Sequence, residues 1–382
     1  MLTKVKHQLA VSAKRLFKRT TGYNFFNKEQ TFNFLSPYEV HNSVSEKYSL
    51  PIVEDVGDHK LLFNKGSVSM NRNTTWVFKH DERACNLLPI GSLSVDHQVL
   101  RTDFGYPNPF INDFGGRAAI QDFILPHPRK KLSCRTVIAP WSHYFRKEYY
   151  LYLMFVAAKL CRIKQTVPSA LIEDAIVAYP LFYSSFEQEY LRLLGFKENQ
   201  VVDTRLVEVD FDNCILGNLD NWLYPAAQDV MWMRELMFDK MPQANNSKSE
   251  LIYISRSGRR RVENEDELVK TLMGFGFEII EDQKRSVEEQ FHLYNNAKFI
   301  IGPHGASFSN IIWSKKGTNL LELFPQRYVY NFFQYLSSIV GVNYAAYCLG
   351  PVSHNQPYRA VSDNLKVSVI DIARYLEQVM VL

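Results

Sequence analysis

At 382 residues with 46% hydrophobic content, the chain is long enough for two hydrophobic cores and ordinary for a globular protein. Its net charge of +4 is far below that of a dedicated nucleic-acid binder, which excludes nucleic acid as its main partner. Five scattered cysteines (Cys85, Cys134, Cys161, Cys214, Cys348) form no Cys-x-x-Cys pair; they exclude a thiolate zinc site and read as reduced thiols of a cytosolic protein.

The N-terminus lacks the apolar run and small-residue cleavage site of a signal peptide. Within residues 1–20, Leu2, Val5, Leu9, Ala13 and Leu16 share one face at helical spacing, while Lys4, Lys14, Arg15, Lys18 and Arg19 lie mostly opposite. That pattern suits a basic amphipathic helix lying on an anionic membrane surface, and equally a solvated helix packed on its domain. The expected location is cytoplasmic, peripheral to the inner face of a membrane if the helix binds lipid.

Residues 30–125 read as β-rich, with runs such as TWVFK and HQVLR between the turn clusters NRNT, GYPNP and NDFGG. Strands and helices alternate from Lys131: LSCRTVIAP as a strand, residues 145–161 as a long buried helix too short to span a bilayer, and AIVAYP as a strand. SSFEQEYLRLLGF reads as a helix with Ser185 and Gln188 as its capping box. The polar stretch DKMPQANNSKSE (239–250) marks a domain boundary. It divides the chain into an N-terminal domain (1–240), a second domain (241–350) and a closing strand and helix (351–382).

Beyond the boundary LIYISR, FEII, KFIIG and NLLELF are continuous apolar strands. Between them lie helices opened by Asn264, by a Ser286/Glu289 capping box and by Gly305. Such alternation predicts an α/β fold with a parallel sheet covered on both faces.

Chemistry concentrates in IGPHGASFSN (301–310). A buried strand ends at Gly302-Pro303 and a helix starts at Gly305, so N–H groups of Gly305, Ala306 and Ser307 face the ligand edge of the sheet. Gly305 admits close approach of a ligand, and Ser307 and Ser309 add hydroxyls. His304 stands at the turn, placed to donate to a phosphate or sugar oxygen; a tight turn whose histidine caps the helix fits the same residues. Arg256, ending LIYISR, emerges at the same edge, where its guanidinium can pair with a diphosphate, and one arginine of the run Arg259-Arg260-Arg261 can join it. Glu322 ends the next strand, where a carboxylate can accept both hydroxyls of a ribose.

Tyr253, Ser255, Arg256, Arg261, Asn264, Glu265, Gln290, Gly302, His304, Gly305, Ala306, Asn310 and Glu322 follow one another in the order YISR…R…NE, then EQ…IIG-x-HGA-x-x-x-N, then a strand-end Glu. This order resembles glycosyltransferase family 61, which includes bacterial capsular polysaccharide enzymes, plant xylan transferases and the EGF-domain O-linked N-acetylglucosamine transferase. The resemblance implies a GT-B architecture: two Rossmann-like domains facing a cleft, the donor in the C-terminal one and the acceptor in the N-terminal one. The C-terminal helix is expected to pack back on the N-terminal domain. It further implies inverting transfer from a nucleotide-sugar, commonly a UDP-sugar, to a saccharide or glycolipid acceptor, as in capsular or surface polysaccharide synthesis. No metal cofactor is required by this reading. Donor-binding candidates are Arg256, Arg261, Gly302, Gly305, Ala306, Ser307, Asn310 and Glu322; catalytic candidates are His304 and His143.

His143 is where the chain departs from the family. Members often carry Asn-Tyr-x-His at the first long helix, whereas here the stretch reads Trp141-Ser142-His143-Tyr144-Phe145-Arg146. His143 as general base, acceptor ligand or helix cap stays open, and so do a non-catalytic sugar-nucleotide or glycan-binding relative and a GT-B sugar-nucleotide epimerase. The triplet Asp210-Phe211-Asp212 is expected to be a turn with two solvated carboxylates and no metal.

Overall fold

A computed structural model describes residues 18–43, 46–50, 54–57, 66–70, 73–103, 128–140, 148–221, 223–241, 250–353 and 360–380. Most of the N-terminal amphipathic segment, His143 and most of the polar stretch 239–250 lie outside them. The chain forms two compact units, one of residues 1–46 and 70–239, the other of residues 47–69 and 240–382.

In the first unit, strands β1 (Glu39–Asn42), β2 (Thr74–Lys79), β3 (Lys130–Ala139), β4 (Ile176–Tyr179), β5 (Val201–Asp203) and β6 (Val207–Gly217) form a sheet in the order β5-β4-β3-β6-β2-β1. The β3, β4, β5 and β6 pairings are parallel, and β2 and β1 close the edge antiparallel. Asp210, Phe211 and Asp212 lie inside β6, alternately exposed, buried and exposed, so the expected turn is a strand with two solvent-facing carboxylates. Among the described residues no group of three or more His, Cys, Asp or Glu could hold a metal.

Helix α1 covers residues 149–166, with a π turn at Tyr152–Ala157 inside it. It is buried on nearly every side, so its cations need partners: Lys159 lies 3.0 Å from Asp103, and Arg162 lies 3.3 Å from Asp229. Helix α2 (Ser185–Leu193) is capped by Ser184, which accepts from the Glu187 N–H at 3.4 Å, and not by the expected Ser185/Gln188 box. The Glu187 carboxylate explains the shift: it is buried and accepts from the N–H groups of Phe182 and Tyr183 and from the Tyr179 hydroxyl. Helix α3 (Ala227–Lys240) ends the unit.

The second unit is the regular one. Strands β7 (Leu251–Ile254), β8 (Glu278–Ile280), β9 (Phe299–Pro303), β10 (Asn319–Phe324) and β11 (Asn343–Cys348) order as β8-β7-β9-β10-β11, all parallel. A two-residue strand from the early chain, Glu54–Asp55, pairs parallel with β11 and closes that edge. Helices α4 (Glu265–Gly274), α5 (Val287–Asn296), α6 (Phe332–Val340) and α7 (Val369–Met380) cover the faces, together with a 3-10 helix at Ala306–Trp313. Ser286 and Glu289 form the expected reciprocal box on α5. Asn264 instead binds the Val367 main chain through both its amide nitrogen and its oxygen, which ties the start of α4 to the approach to α7.

Strand alternation sorts the side chains into two layers. Phe299, Ile301, Leu321, Leu323, Ala345 and Tyr347 face a core shared with Leu268 and Leu272 of α4 and Ile372 and Leu376 of α7. The opposite face is covered by α5, the 3-10 helix and α6, which pack on one another. Helix α7 therefore completes the second unit, its apolar stripe packed against α4. No described helix is long and apolar enough to cross a membrane, and none of the five cysteines forms a disulfide.

Replacing fully buried Leu376 with Ala should cost about 2–5 kcal/mol in chemical denaturation. A cost below about 1 kcal/mol would show that α7 is not part of that core.

Candidate functional site

The strand order decides where a ligand can enter. From β7 the chain moves to β8 on one side, then returns past β7 to β9 on the other. Connections leaving the carboxyl ends of β7 and β9 therefore diverge, and in open α/β sheets ligands bind in the crevice at such a reversal. Ser255-Arg256 follow β7 and His304-Gly305 follow β9.

Two arginines converge there on one oxygen. Arg256 donates to the main-chain carbonyl of His304 at 3.1 Å, and Arg260 donates to the same carbonyl at 2.9 Å. Arg260 is buried (4% exposed), lies over the Tyr328 ring and also donates to the Val361 carbonyl at 2.5 Å. Arg256 is half-buried and forms no ion pair with a carboxylate among the described residues. Burial and the neighbouring Arg259 cation push its guanidinium below the usual arginine range, so an anion placed against it would be favoured.

Gly305 explains how Arg256 reaches this position. A Cβ on Gly305 would lie 1.7 Å from Arg256 Nη1. The φ of Gly305 is −176°, open to any residue, so glycine is needed here for space and not for conformation. It admits the arginine rather than the ligand. Gly302 is equally constrained, since its Cβ would meet the Ile254 carbonyl at 2.9 Å.

Beneath this lies a buried polar chain. Gly302 pairs in register with Glu322 and Glu322 with Ala346, so the side chains of His304, Glu322 and Tyr344 share the face opposite the α4–α7 core. His304 Nδ1 contacts Glu322 Oε1, and the Tyr344 hydroxyl donates to Glu322 Oε2 at 2.5 Å. His304 is 4% exposed and Glu322 0%. The imidazole stacks on Phe324 at 5.1 Å and is edged by Tyr328 and Phe333. Burial, with the Arg260 and Arg256 cations, holds His304 well below the usual histidine range. Burial pushes the Glu322 carboxyl up, opposed by Tyr344 and Arg260. Glu322 is fully buried, with one oxygen on His304 and the other on Tyr344, so it lies beneath the crevice rather than at the place expected for ribose hydroxyls; it orients His304.

The remaining expected residues divide. Ala306 and Ser307 are half-exposed and precede the first bond of the 3-10 helix, from the Phe308 N–H to the Gly305 carbonyl at 3.0 Å, so geometry leaves their N–H groups to the crevice. Asn310 is buried and structural: its amide donates to Gln290 at 2.8 Å and to the Ser307 carbonyl, and its oxygen accepts from Trp313. Arg261 is exposed and offers only its carbonyl, to the Leu365 N–H. Arg260 takes the place expected of Arg261, because its left-handed φ of +63° turns it inward. Tyr344 and Arg260 were not singled out in the sequence; the register of β10 with β11 and the φ of Arg260 are what reveal them.

Two outcomes test this geometry. The His304 ring should stay uncharged across roughly pH 5–8 by nitrogen-detected NMR, where an ordinary histidine titrates near 6.5. Because the unfolded ring gains a proton below that value and the folded ring does not, this group's contribution to stability falls as pH falls through about 6.5. A His304 midpoint near 6.5 would contradict the buried arrangement. Separately, Gly305→Ala should leave folding nearly unchanged but displace Arg256 and weaken pyrophosphate binding by about tenfold or more in calorimetry; unchanged binding would detach Arg256 from anion recognition.

The glycosyltransferase 61 family model matches residues 110–321, more than half of the chain, from before β3 to one residue short of Glu322. Xylan glycosyltransferase MUCI21 of Arabidopsis thaliana is 28% identical over 112 residues, which is 28% of this chain and 23% of that protein. The chain thus spans under a quarter of that relative's length. With the family match running through β7, the paired arginines and the His-Gly-Ala turn, the chain belongs to glycosyltransferase family 61.

Proposed function

We propose that this enzyme is a GT-B glycosyltransferase that moves a pentose or hexose, with inversion, from a UDP-sugar to a saccharide or glycolipid acceptor. In this reading the second unit is the donor half and the first the acceptor half. The observation that carries it is the convergence of half-exposed Arg256 with the N–H groups of Ala306 and Ser307 at the reversal between β7 and β9. Cleaving the donor's glycosidic bond leaves negative charge on the departing diphosphate. Donors already fixed at that place stabilise the charge without reorganising. Arg260 and the His304 carbonyl supply the fixing.

An inverting transfer also needs a base for the acceptor hydroxyl. His143 is our candidate, on the family pattern alone, and it lies outside the described residues. Residues 1–20 would seat the enzyme on an anionic membrane surface at the cytoplasmic side. The name of the Arabidopsis relative makes xylose the first sugar to test and xylo-oligosaccharides the first acceptors.

Arg256→Ala should lower kcat/KM for the UDP-sugar by about 100-fold or more, whereas Arg261→Ala should stay within about threefold of native. UDP release across a UDP-sugar panel with xylohexaose measures both. An active Arg256→Ala enzyme would remove the donor-site assignment.

A further inference from the structure

Beyond the carboxyl ends of β10 and β11, next to the candidate site, lies a cavity of about 250 Å³. We infer that it holds one sugar ring, an assignment that deepens the transferase reading and rests on it. Size is the first reason: sites for drug-sized ligands occupy roughly 300–1,000 Å³, so this cavity suits a single ring and not a nucleotide.

Position is the second. Phe324 forms one wall and also stacks on His304, with 27° between the rings, so the cavity adjoins the diphosphate-facing residues on the same sheet edge.

The polar wall is the third. Arg327 donates through Nε and Nη2 to Asp363 Oδ2, each at 2.8 Å, which leaves Oδ1 as an acceptor. Gln326 donates its amide to the Leu349 carbonyl at 2.7 Å, which leaves Oε1 as another. Gly350 makes that contact possible: its φ is +80°, and a Cβ there would lie 2.7 Å from Gln326 Nε2. Asn364 and Lys366 add donors, and both are exposed. Their spacing is held by Leu365 between them, buried and bonded through its main chain to Arg261 at 3.0 Å and Glu263 at 2.8 Å. Acceptors and donors thus surround the cavity on a fixed frame, and each hydroxyl of a sugar is at once donor and acceptor. A phosphate would fit this wall poorly, because Arg327 is already neutralised and the Asp363 carboxylate would repel it.

The ring can be the sugar of the donor or the terminal sugar of the acceptor, and calorimetry separates the two. UDP, a panel of UDP-xylose, UDP-glucose, UDP-galactose and UDP-N-acetylglucosamine, and xylohexaose are titrated into the full chain, native and with Asp363→Ala or Lys366→Ala. The expected result is native-like binding of UDP in both variants, with at least about tenfold weaker binding of a UDP-sugar (donor ring) or of xylohexaose (acceptor ring). Lys366 is exposed, so its variant reports even if Asp363→Ala folds poorly. Unchanged binding of every sugar-bearing probe overturns the inference. So does loss of UDP binding in step with the UDP-sugars, and so does a native protein that binds xylohexaose not at all and no UDP-sugar more tightly than UDP. If the native chain fails to bind UDP, the donor-site reading falls, while the xylohexaose arm still decides the cavity.

Discussion

One main-chain oxygen organises the candidate site. The carbonyl of His304 accepts from both Arg256 and Arg260, which brings two cations to one oxygen. The left-handed φ of Arg260 adds backbone strain on the order of 1–3 kcal/mol. The arrangement persists because Arg260 is clamped by the Val361 carbonyl and the Tyr328 ring, while Arg256 lies over a glycine.

Most residues of the family pattern frame the site without facing the crevice. Tyr253 and Ser255 both donate to Glu265, at 2.7 and 2.9 Å, which fixes the end of β7 against α4 just before Arg256. Gln290 and Asn310 fasten α5 to the 3-10 helix. Glu322 and Tyr344 hold the imidazole of His304 from below, and with it the carbonyl that both arginines use. What stays partly exposed at the reversal is small: the Arg256 guanidinium with Ala306 and Ser307. Such preorganisation is where electrostatic stabilisation of a leaving group gains its strength.

What could be read from the sequence follows from which interactions are local. The parallel strands of the second unit are continuous apolar runs, and the Ser286/Glu289 box is a four-residue signal; both were legible. The role of Glu322 was not, because its partner Tyr344 is set by the pairing of β10 with β11 and no local pattern encodes it. Arg260 was hidden among three arginines that differ only in backbone conformation. Gly305 was legible as a close approach, but the approaching group proved to be a side chain of the same protein. The Ser184 cap was missed because Ser184 and Ser185 both fit the signal, and the buried Glu187 chooses between them.

The two-residue strand Glu54–Asp55 has a consequence for how the chain is made. It emerges from the ribosome long before its neighbour β11, so their pairing joins segments nearly 300 residues apart, from about residue 54 to about residue 345. The early segment must wait until β11 has been made before it can dock. Contacts of such long range are slow to close and leave an unpaired edge exposed in the interval. A fragment starting at residue 240 would carry Arg256 and the His-Gly-Ala turn but lack its edge strand, so the boundary that looks simplest in the sequence is a poor place to cut the protein in two.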